Sequence, residues 1–179
     1  TWRANPRWGA ELGYDLRALA DANRRAITYA EEVRARAEEP GRPIPICAAI
    51  GSPVDAYRPE RRLSTEQAAE YHAWQIAILA DTAADLVKGA TLAYVEEAIG
   101  IARAAAAVGI PAALSFTVET NGRLPSGQAL ADAINEVDAE TDGSVAYFAV
   151  NCAHPNHLEP ACSTPGPWHR ILSFRGNAS

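Results

Sequence analysis

The sequence contains no methionine, only three cysteines and no apolar run long enough to cross a lipid bilayer. Three cysteines at irregular positions are too few for a disulfide framework, so a reducing, cytoplasmic setting is expected. A transmembrane helix needs about 20 apolar residues, and the opening "TWRANPRWG" has no apolar signal-peptide core. We therefore expect neither a membrane protein nor a secreted one.

A basic surface and a glycine-rich phosphate loop are also absent. The net charge is −6 and the Lys and Arg residues are scattered, which argues against nucleic acid as a partner. No Gly-x-Gly-x-x-Gly or Walker-type loop follows any predicted strand, which argues against nucleotide binding. The missing initiator methionine and the abrupt ends of the sequence indicate an internal piece of a longer protein.

Hydrophobic patterning alternates between two kinds of segment. Apolar residues at helical spacing predict helices, and short runs of consecutive apolar residues predict buried strands. Ser64 is a suitable N-cap, with Gln67 at the position of a capping box. The predicted helices are 12–39, 64–83, 92–108 and 127–139, and the predicted strands are 44–51, 84–90, 111–118, 145–150 and 170–174.

The repeated strand–helix order predicts a single α/β domain over residues 1–179 with a parallel sheet. The pattern alone leaves two architectures open, a doubly wound sheet and a (β/α)8 barrel. A complete barrel usually takes about 200–250 residues, so a barrel of this length would lack its ends. In both architectures the active site lies at the carboxyl ends of the strands, and the residues there are the candidates for chemistry.

Cys152 is the main candidate, because it directly follows a predicted buried strand and precedes a polar loop. A thiolate at this place could ligate a metal or act as a nucleophile, and the alternative is a buried structural cysteine. His154 and His157 could complete a local metal set, but one short loop rarely wraps three zinc ligands well. The alternative is that they are exposed loop or helix-cap histidines. Glu119 is a candidate general base or, alternatively, a solvated loop residue.

Three other potentially reactive side chains are expected to be structural. Cys47 lies within a predicted strand and Cys162 within a proline-broken segment, so both thiols are predicted to be buried. His72 lies on an amphipathic helix beside Tyr71 and Trp74. None of the three is predicted to bind a metal or a substrate.

Six segments in consistent order resemble the homocysteine S-methyltransferase family, a zinc-dependent (β/α)8 barrel family that includes betaine–homocysteine methyltransferases. They are "TWRANP", "IGSPVDAY", "YVEEAIGIARAA", "LSFTVETNGRLPSGQAL", "VNCAHP" and "RILSFRGNAS". The resemblance implies an incomplete TIM barrel, roughly from the end of barrel strand 2 through strand 7. It also implies that Cys152 is one of three thiolate zinc ligands. The other two belong to a Gly-Gly-Cys-Cys pair that this sequence does not contain.

The resemblance further implies a substrate pocket beside Cys152. The acidic residue that the family commonly has at the end of barrel strand 4 is Ala90 here. The implied acceptor is therefore homocysteine or a related thiol, with Glu119 as an alternative contact for the amino group. The residues expected to bind or border the substrate are Asn151, Thr91, Glu119, Gly122 and Gly127.

The predicted function is zinc-dependent transfer of a methyl group from an activated donor to homocysteine or a related thiol, as in methionine biosynthesis. Zinc suits this reaction because it deprotonates a bound thiol and leaves it nucleophilic. One alternative is a barrel hydrolase or lyase that uses Glu119 as its base, with Cys152 structural. Another is an inactive truncated product. The sequence leaves the methyl donor and the oligomeric state open.

Overall fold

The computed structural model describes residues 1–55 and 62–177, so Tyr57 of the "IGSPVDAY" segment lies outside the described residues. Five strands form one parallel sheet in the order of the chain. All five predicted strands are confirmed, with their ends shifted by a few positions. The strands are β1 Cys47–Gly51, β2 Leu86–Leu92, β3 Ala112–Phe116, β4 Tyr147–Asn151 and β5 Ile171–Arg175.

Helices connect these strands, and the strand order contains no reversal. A doubly wound sheet has a point at which the strand order reverses, whereas a barrel wall adds each new strand beside the previous one. The sheet is therefore an arc of barrel wall. Within the described part of the chain, no helix combines the length and the apolarity needed to span a membrane. The helices are α1 Pro6–Glu11, α2 Leu16–Ala37, α3 Thr65–Ala80, α4 Val95–Val108, α5 Leu130–Glu140 and α6 Pro155–Cys162.

The predicted helix over 12–39 is wrong at its start, because a break separates α1 from α2. Asn5 and Asp15 cap these two helices, and each side chain accepts a hydrogen bond from a backbone N–H three residues on, at 3.2 and 2.7 Å. Gly13 lies in the break with a left-handed backbone (φ 77°), a conformation that glycine adopts readily. The apolar spacing continues into the break, so periodicity alone does not reveal it.

The predicted capping box of α3 is confirmed. The Gln67 N–H donates to Ser64 Oγ at 3.2 Å, and the Ser64 N–H donates to Gln67 Oε1 at 3.0 Å. Gly109 ends α4 in a left-handed conformation, which is common for a glycine that follows the last turn of a helix. The capping box thus marks the start of α3, and Gly109 marks the end of α4.

The core lies between the helices and the outer face of the sheet. Alternate strand residues point to this face, and they are large and buried, as with Ile50, Leu114 and Phe148. The inner face is more polar, and burial lowers the pKa of its Lys88 ammonium. A cavity on the inner face is lined by Cys47, Ala49, Lys88, Ala90, Tyr147, Asn151 and Arg175.

The prediction that Cys47 and Cys162 are buried is wrong. Both thiols are exposed. Cys47 lies on the inner face of the sheet at the start of β1, where burial alternates along the strand, so an apolar run did not mean that both faces were covered. Cys162 ends α6, a helix without a buried residue.

Helices α3 and α4 approach so closely at Gly100 that no side chain fits there. A Cβ built at Gly100 would lie 2.6 Å from Ala68 Cβ and 2.7 Å from the backbone nitrogen of Ala69. It would also lie 2.8 Å from the carbonyl oxygen of Thr65. Because two of these neighbours are backbone atoms, relief would require one helix to move.

Replacing Gly100 with alanine is therefore expected to lower the free energy of unfolding by about 1–2 kcal/mol. At an exposed helix position, changing glycine to alanine stabilises the folded protein by about 1 kcal/mol. At Gly100 the cost of overpacking is expected to exceed this gain. Urea denaturation measures the difference. The control is Ala106→Val at an exposed site of α4, expected to cost less than about 1 kcal/mol. A gain in stability from Gly100→Ala would contradict this packing.

Candidate functional site

Two strand ends at the carboxyl edge of the sheet, one on either side of β3, carry strained residues. Thr91 near the end of β2 has φ 61°, and Cys152 directly after β4 has φ 55°. Residues with a Cβ rarely adopt this left-handed region, and such strain concentrates at functional sites. The β2–β3 register shifts between Ala90 and Leu92, so the Thr91 conformation is a bulge. The bulge and the turn at Cys152 bring the two side chains together.

The buried side-chain amide of Asn151 connects Thr91 with Cys152. Its Oδ1 accepts hydrogen bonds from the Thr91 N–H at 2.9 Å and from Ser115 Oγ at 2.6 Å. Its Nδ2 donates to Thr91 Oγ1 at 2.7 Å and lies 3.1 Å from Cys152 Sγ. A backbone N–H can only donate, so the Thr91 N–H fixes which amide atom faces it. Nδ2 is thereby directed at the sulfur.

Hydroxyl groups complete the surroundings of Cys152. Thr91 Oγ1 lies 3.6 Å from the sulfur, and Thr117 Oγ1 donates to the Cys152 carbonyl oxygen at 3.3 Å. Ser115 and Thr117 are two positions apart near the end of β3, and both are buried. Sequence reasoning missed both residues. The available signal was the pair of hydroxyls at period-2 spacing in "LSFTV", an otherwise apolar run.

Cys152 opens onto a cavity of about 230 Å³. The wall opposite the strand ends comes from the start of the chain, where Asn5 Nδ2 lies 3.4 Å from the Gly51 carbonyl oxygen. A Cβ at Gly51 would lie 2.1 Å from Trp2 Nε1, so glycine is required for the indole to pack here. The lining residues are Trp2, Arg3, Trp8, Ser52, Val54, Asp55, Ala90, Thr91 and Cys152.

Three residues predicted to border the substrate lie elsewhere, on the loop after β3. The Glu119 side chain is exposed and does not line this cavity. Gly122 (φ 75°) packs against α6, where a Cβ would come within 2.4 Å of the Ala161 backbone nitrogen. Gly127 (φ 90°) has open space around it. The structure thus brings Thr91, Asn151 and Cys152 together and leaves the loop residues apart.

The two histidines after Cys152 do not join it. His154 caps α6, since its Nδ1 accepts a hydrogen bond from the Asn156 N–H at 3.2 Å, as the alternative of a helix-cap histidine predicts. His157 follows on the same helix, and its ring centroid lies 6.0 Å from that of His154. Among residues 1–55 and 62–177, no group of three His, Cys, Asp or Glu residues is arranged to hold a metal ion.

Replacing Asn151 with leucine is expected to lower the free energy of unfolding by about 2 kcal/mol. The change leaves the Thr91 N–H and the Ser115 hydroxyl buried without their acceptor, and each such group costs about 1–3 kcal/mol before relaxation. Urea denaturation measures the loss. Ser115→Ala removes only one donor to the amide and is the matched control, with an expected loss of about 1 kcal/mol. Equal losses from the two variants would contradict a central role for the amide.

Comparison with known proteins points in one direction. Three solved structures of the homocysteine methyltransferase MmuM from Escherichia coli are similar to this chain. The metallated form has a TM-score of 0.78 at 20% identity, and the oxidized form 0.79 at 19%; each match covers 99% of this chain and 73% of that one. The apo form has a TM-score of 0.65 at 17% identity, covering 90% and 70%.

These structural matches identify the fold as part of a (β/α)8 barrel, in agreement with the strand order. A search of curated proteins found no match. The family model for homocysteine S-methyltransferases matches residues 1–178, which is nearly the whole chain. The chain therefore belongs to the homocysteine S-methyltransferase family and is a homocysteine S-methyltransferase-like enzyme.

Proposed function

We propose that this protein transfers a methyl group from an activated donor to the sulfur of homocysteine or a related thiol, at a zinc ion that Cys152 helps to hold. The observation that carries the proposal is the position of Cys152. Its sulfur lies at the carboxyl edge of the sheet, lines a cavity and is approached by Asn151 Nδ2 and Thr91 Oγ1. We also propose that residues 1–179 form a single partial barrel domain.

The sulfur of Cys152 is suited to occupy one ligand position of a zinc site. A thiolate is a preferred zinc ligand, and a catalytic zinc typically takes three protein ligands and leaves the fourth position open. Cys47 and Cys162 do not line the Cys152 cavity. The other two ligands are therefore proposed to come from outside the present sequence, as the Gly-Gly-Cys-Cys pair of the family implies. When bound, zinc supplies the deprotonation of the acceptor thiol.

The residues of this chain orient the site and bound it. Asn151 holds Thr91 and Cys152 in one arrangement, and Ser115 and Thr117 support that arrangement from β3. Ala90 lines the cavity where the family commonly has an acidic residue. The amino group of an acceptor is consequently not held by a carboxylate at position 90. This supports a range of acceptors that includes thiols related to homocysteine.

The alternative of a hydrolase or lyase that uses Glu119 gains no support from the geometry, because the Glu119 side chain is exposed on a loop outside the cavity. With homocysteine as acceptor the product is methionine, and the reaction would serve methionine biosynthesis. Small molecules are then the expected partners. A free thiol substrate also suits a reducing compartment, so we propose a cytoplasmic location.

The test measures the zinc content and the methionine formed by the same protein preparation. The full-length protein is purified without chelator, and its zinc content is determined by plasma mass spectrometry. It is then incubated with homocysteine and, separately, with betaine, S-methylmethionine or a methyl folate, and methionine is quantified by mass spectrometry. We expect about one zinc per chain and methionine with at least one donor. A protein without zinc that methylates no thiol would overturn the proposal.

A further inference from the structure

Arg3 is a cation in the cavity that Cys152 lines. Its guanidinium carbon lies 4.6 Å from the ring centroid of Trp2 and 4.2 Å from that of Trp8. These are cation–π distances. Arg3 makes no ion pair with a carboxylate of residues 1–55 or 62–177. Its guanidinium therefore packs against the two indoles rather than against a carboxylate.

A guanidinium that contacts aromatic rings still carries five N–H donors, which lie in one plane and point outward. These donors match the two oxygens of a carboxylate in a bidentate pair. Arg3 can therefore bind an anion at the wall of this cavity.

The two indoles are themselves fixed to the barrel. Trp8 Nε1 donates to the carbonyl oxygen of Ser52 at 3.2 Å, and Trp2 packs directly over Gly51. Both attachments are at the end of β1, to its last residue and to the residue that follows it, on the same edge of the sheet as Cys152. An arginine packed against fixed rings loses less rotamer entropy on binding than a free surface arginine does.

Size and charge restrict what the cavity can take. Its volume of about 230 Å³ is smaller than the roughly 300–1,000 Å³ of pockets for drug-sized ligands, which favours a small metabolite. The chain as a whole carries a net charge of −6. Among the described residues that line the cavity, Arg3 is the cation and Asp55 the carboxylate. A small anion is therefore attracted to the Arg3 side of the wall, on an otherwise acidic protein.

We propose that Arg3 binds the carboxylate of an amino-acid-type substrate in the Cys152 cavity and so selects substrates that carry this group. The inference rests on the proposed function for the identity of the reaction, but not for the binding step. Either the thiol acceptor or the methyl donor can bring the carboxylate. The bidentate contact fixes one end of the substrate while its reacting atom lies toward Cys152.

The experiment compares two pairs of ligands, and in each pair one ligand carries the carboxylate and the other lacks it. Calorimetric titration of the full-length protein uses homocysteine against 3-aminopropane-1-thiol as acceptors, and betaine against tetramethylammonium as donors. The variants are Arg3→Met, which removes the charge, and Arg3→Lys, which keeps the charge but loses the planar fork. Arg25→Met, at an exposed site on α2, is the matched control.

We expect Arg3→Met to weaken binding of the carboxylate-bearing ligand by about 10–100-fold. This is the loss of affinity that follows from removing hydrogen bonds to a charged group. Its affinity for the carboxylate-free partner and the affinities of Arg25→Met should be unchanged, with Arg3→Lys intermediate. Loss confined to homocysteine assigns the acceptor, and loss confined to betaine assigns the donor. Equal affinity of wild-type protein for both members of each pair, or equal loss for both members, would overturn the role of Arg3.

Methyl transfer is assayed on the same proteins, so that a failure of the proposed reaction can be distinguished from a failure of the proposed Arg3 site. A protein that discriminates carboxylates through Arg3 but methylates no thiol would retain the Arg3 site and lose the proposed reaction. A protein that methylates thiols while Arg3→Met leaves every affinity unchanged would retain the reaction and lose the Arg3 site.

Discussion

Replacing Cys152 with serine is expected to reduce bound zinc in the full-length protein from about one ion per chain to below about a tenth, and methyl transfer with it. The hydroxyl keeps the size and the hydrogen-bonding neighbours of the thiol, but zinc prefers thiolate sulfur. Loss of a group that only supports a metal ligand costs about 10–100-fold in affinity or activity, so loss of the ligand itself should cost at least about 100-fold. Plasma mass spectrometry and the methionine assay measure the two quantities.

The control is Cys162→Ser, because this thiol is exposed at the end of α6 and does not line the cavity. Zinc content and rate should match those of the unaltered protein. Circular dichroism of Cys152→Ser checks that the barrel is intact. A folded Cys152→Ser protein with full zinc content and undiminished rate would exclude Cys152 from the metal centre.

Replacing Glu97 with leucine is expected to lower the free energy of unfolding by about 3–5 kcal/mol. Glu97 Oε1 lies 3.0 Å from His72 Nε2, and both side chains are almost fully buried between α3 and α4. Neither His72 Nδ1 nor Glu97 Oε2 has another hydrogen-bond partner among the described residues. Removing one member of such a pair leaves the other buried without its partner, which is costly. Guanidinium denaturation measures the loss.

The reverse single change and the double change sharpen this test. His72→Leu leaves the Glu97 carboxyl group buried without its partner. The site is poor at solvating charge, since burial and the Glu97 charge together raise the pKa of the nearby Tyr94. The loss of stability should therefore be at least as large as that of Glu97→Leu. The double variant His72→Leu/Glu97→Leu removes both polar groups and should recover most of the stability. Glu97→Gln keeps a hydrogen-bonding partner and should cost less than Glu97→Leu. Additive single losses in the double variant would show that the pair is not coupled.

The strands and most helix ends were predictable because their causes are local. Runs such as "VAYFAV" carry enough apolar surface to be buried wherever they lie, and the Ser64–Gln67 capping box closes within one turn. The break between α1 and α2 was not predicted, because helical spacing continued into it. The exposure of Cys47 was not predicted either, since it depends on which face of the sheet the helices cover.

The candidate site divides in the same way. Cys152 and Asn151 could be predicted because they directly follow a buried strand, and in a parallel sheet that position is the functional edge. Ser115 and Thr117 were missed because their importance comes from pairing with another strand. Arg3 was missed because it is far from Cys152 in the sequence, and its contact with two indoles depends on how the start of the chain folds over β1.

By itself, the sequence determined the alternation of helices and strands, the parallel sheet and the placement of a thiol at a strand end, because burial patterns and strand termini are local properties. Only the tertiary structure decided that Thr91, Asn151 and Cys152 meet, that Glu119 stays outside, and that Arg3 faces the same cavity. These are contacts between residues distant along the chain. They depend on strand register and on the bulge at Thr91, which no short stretch of sequence specifies.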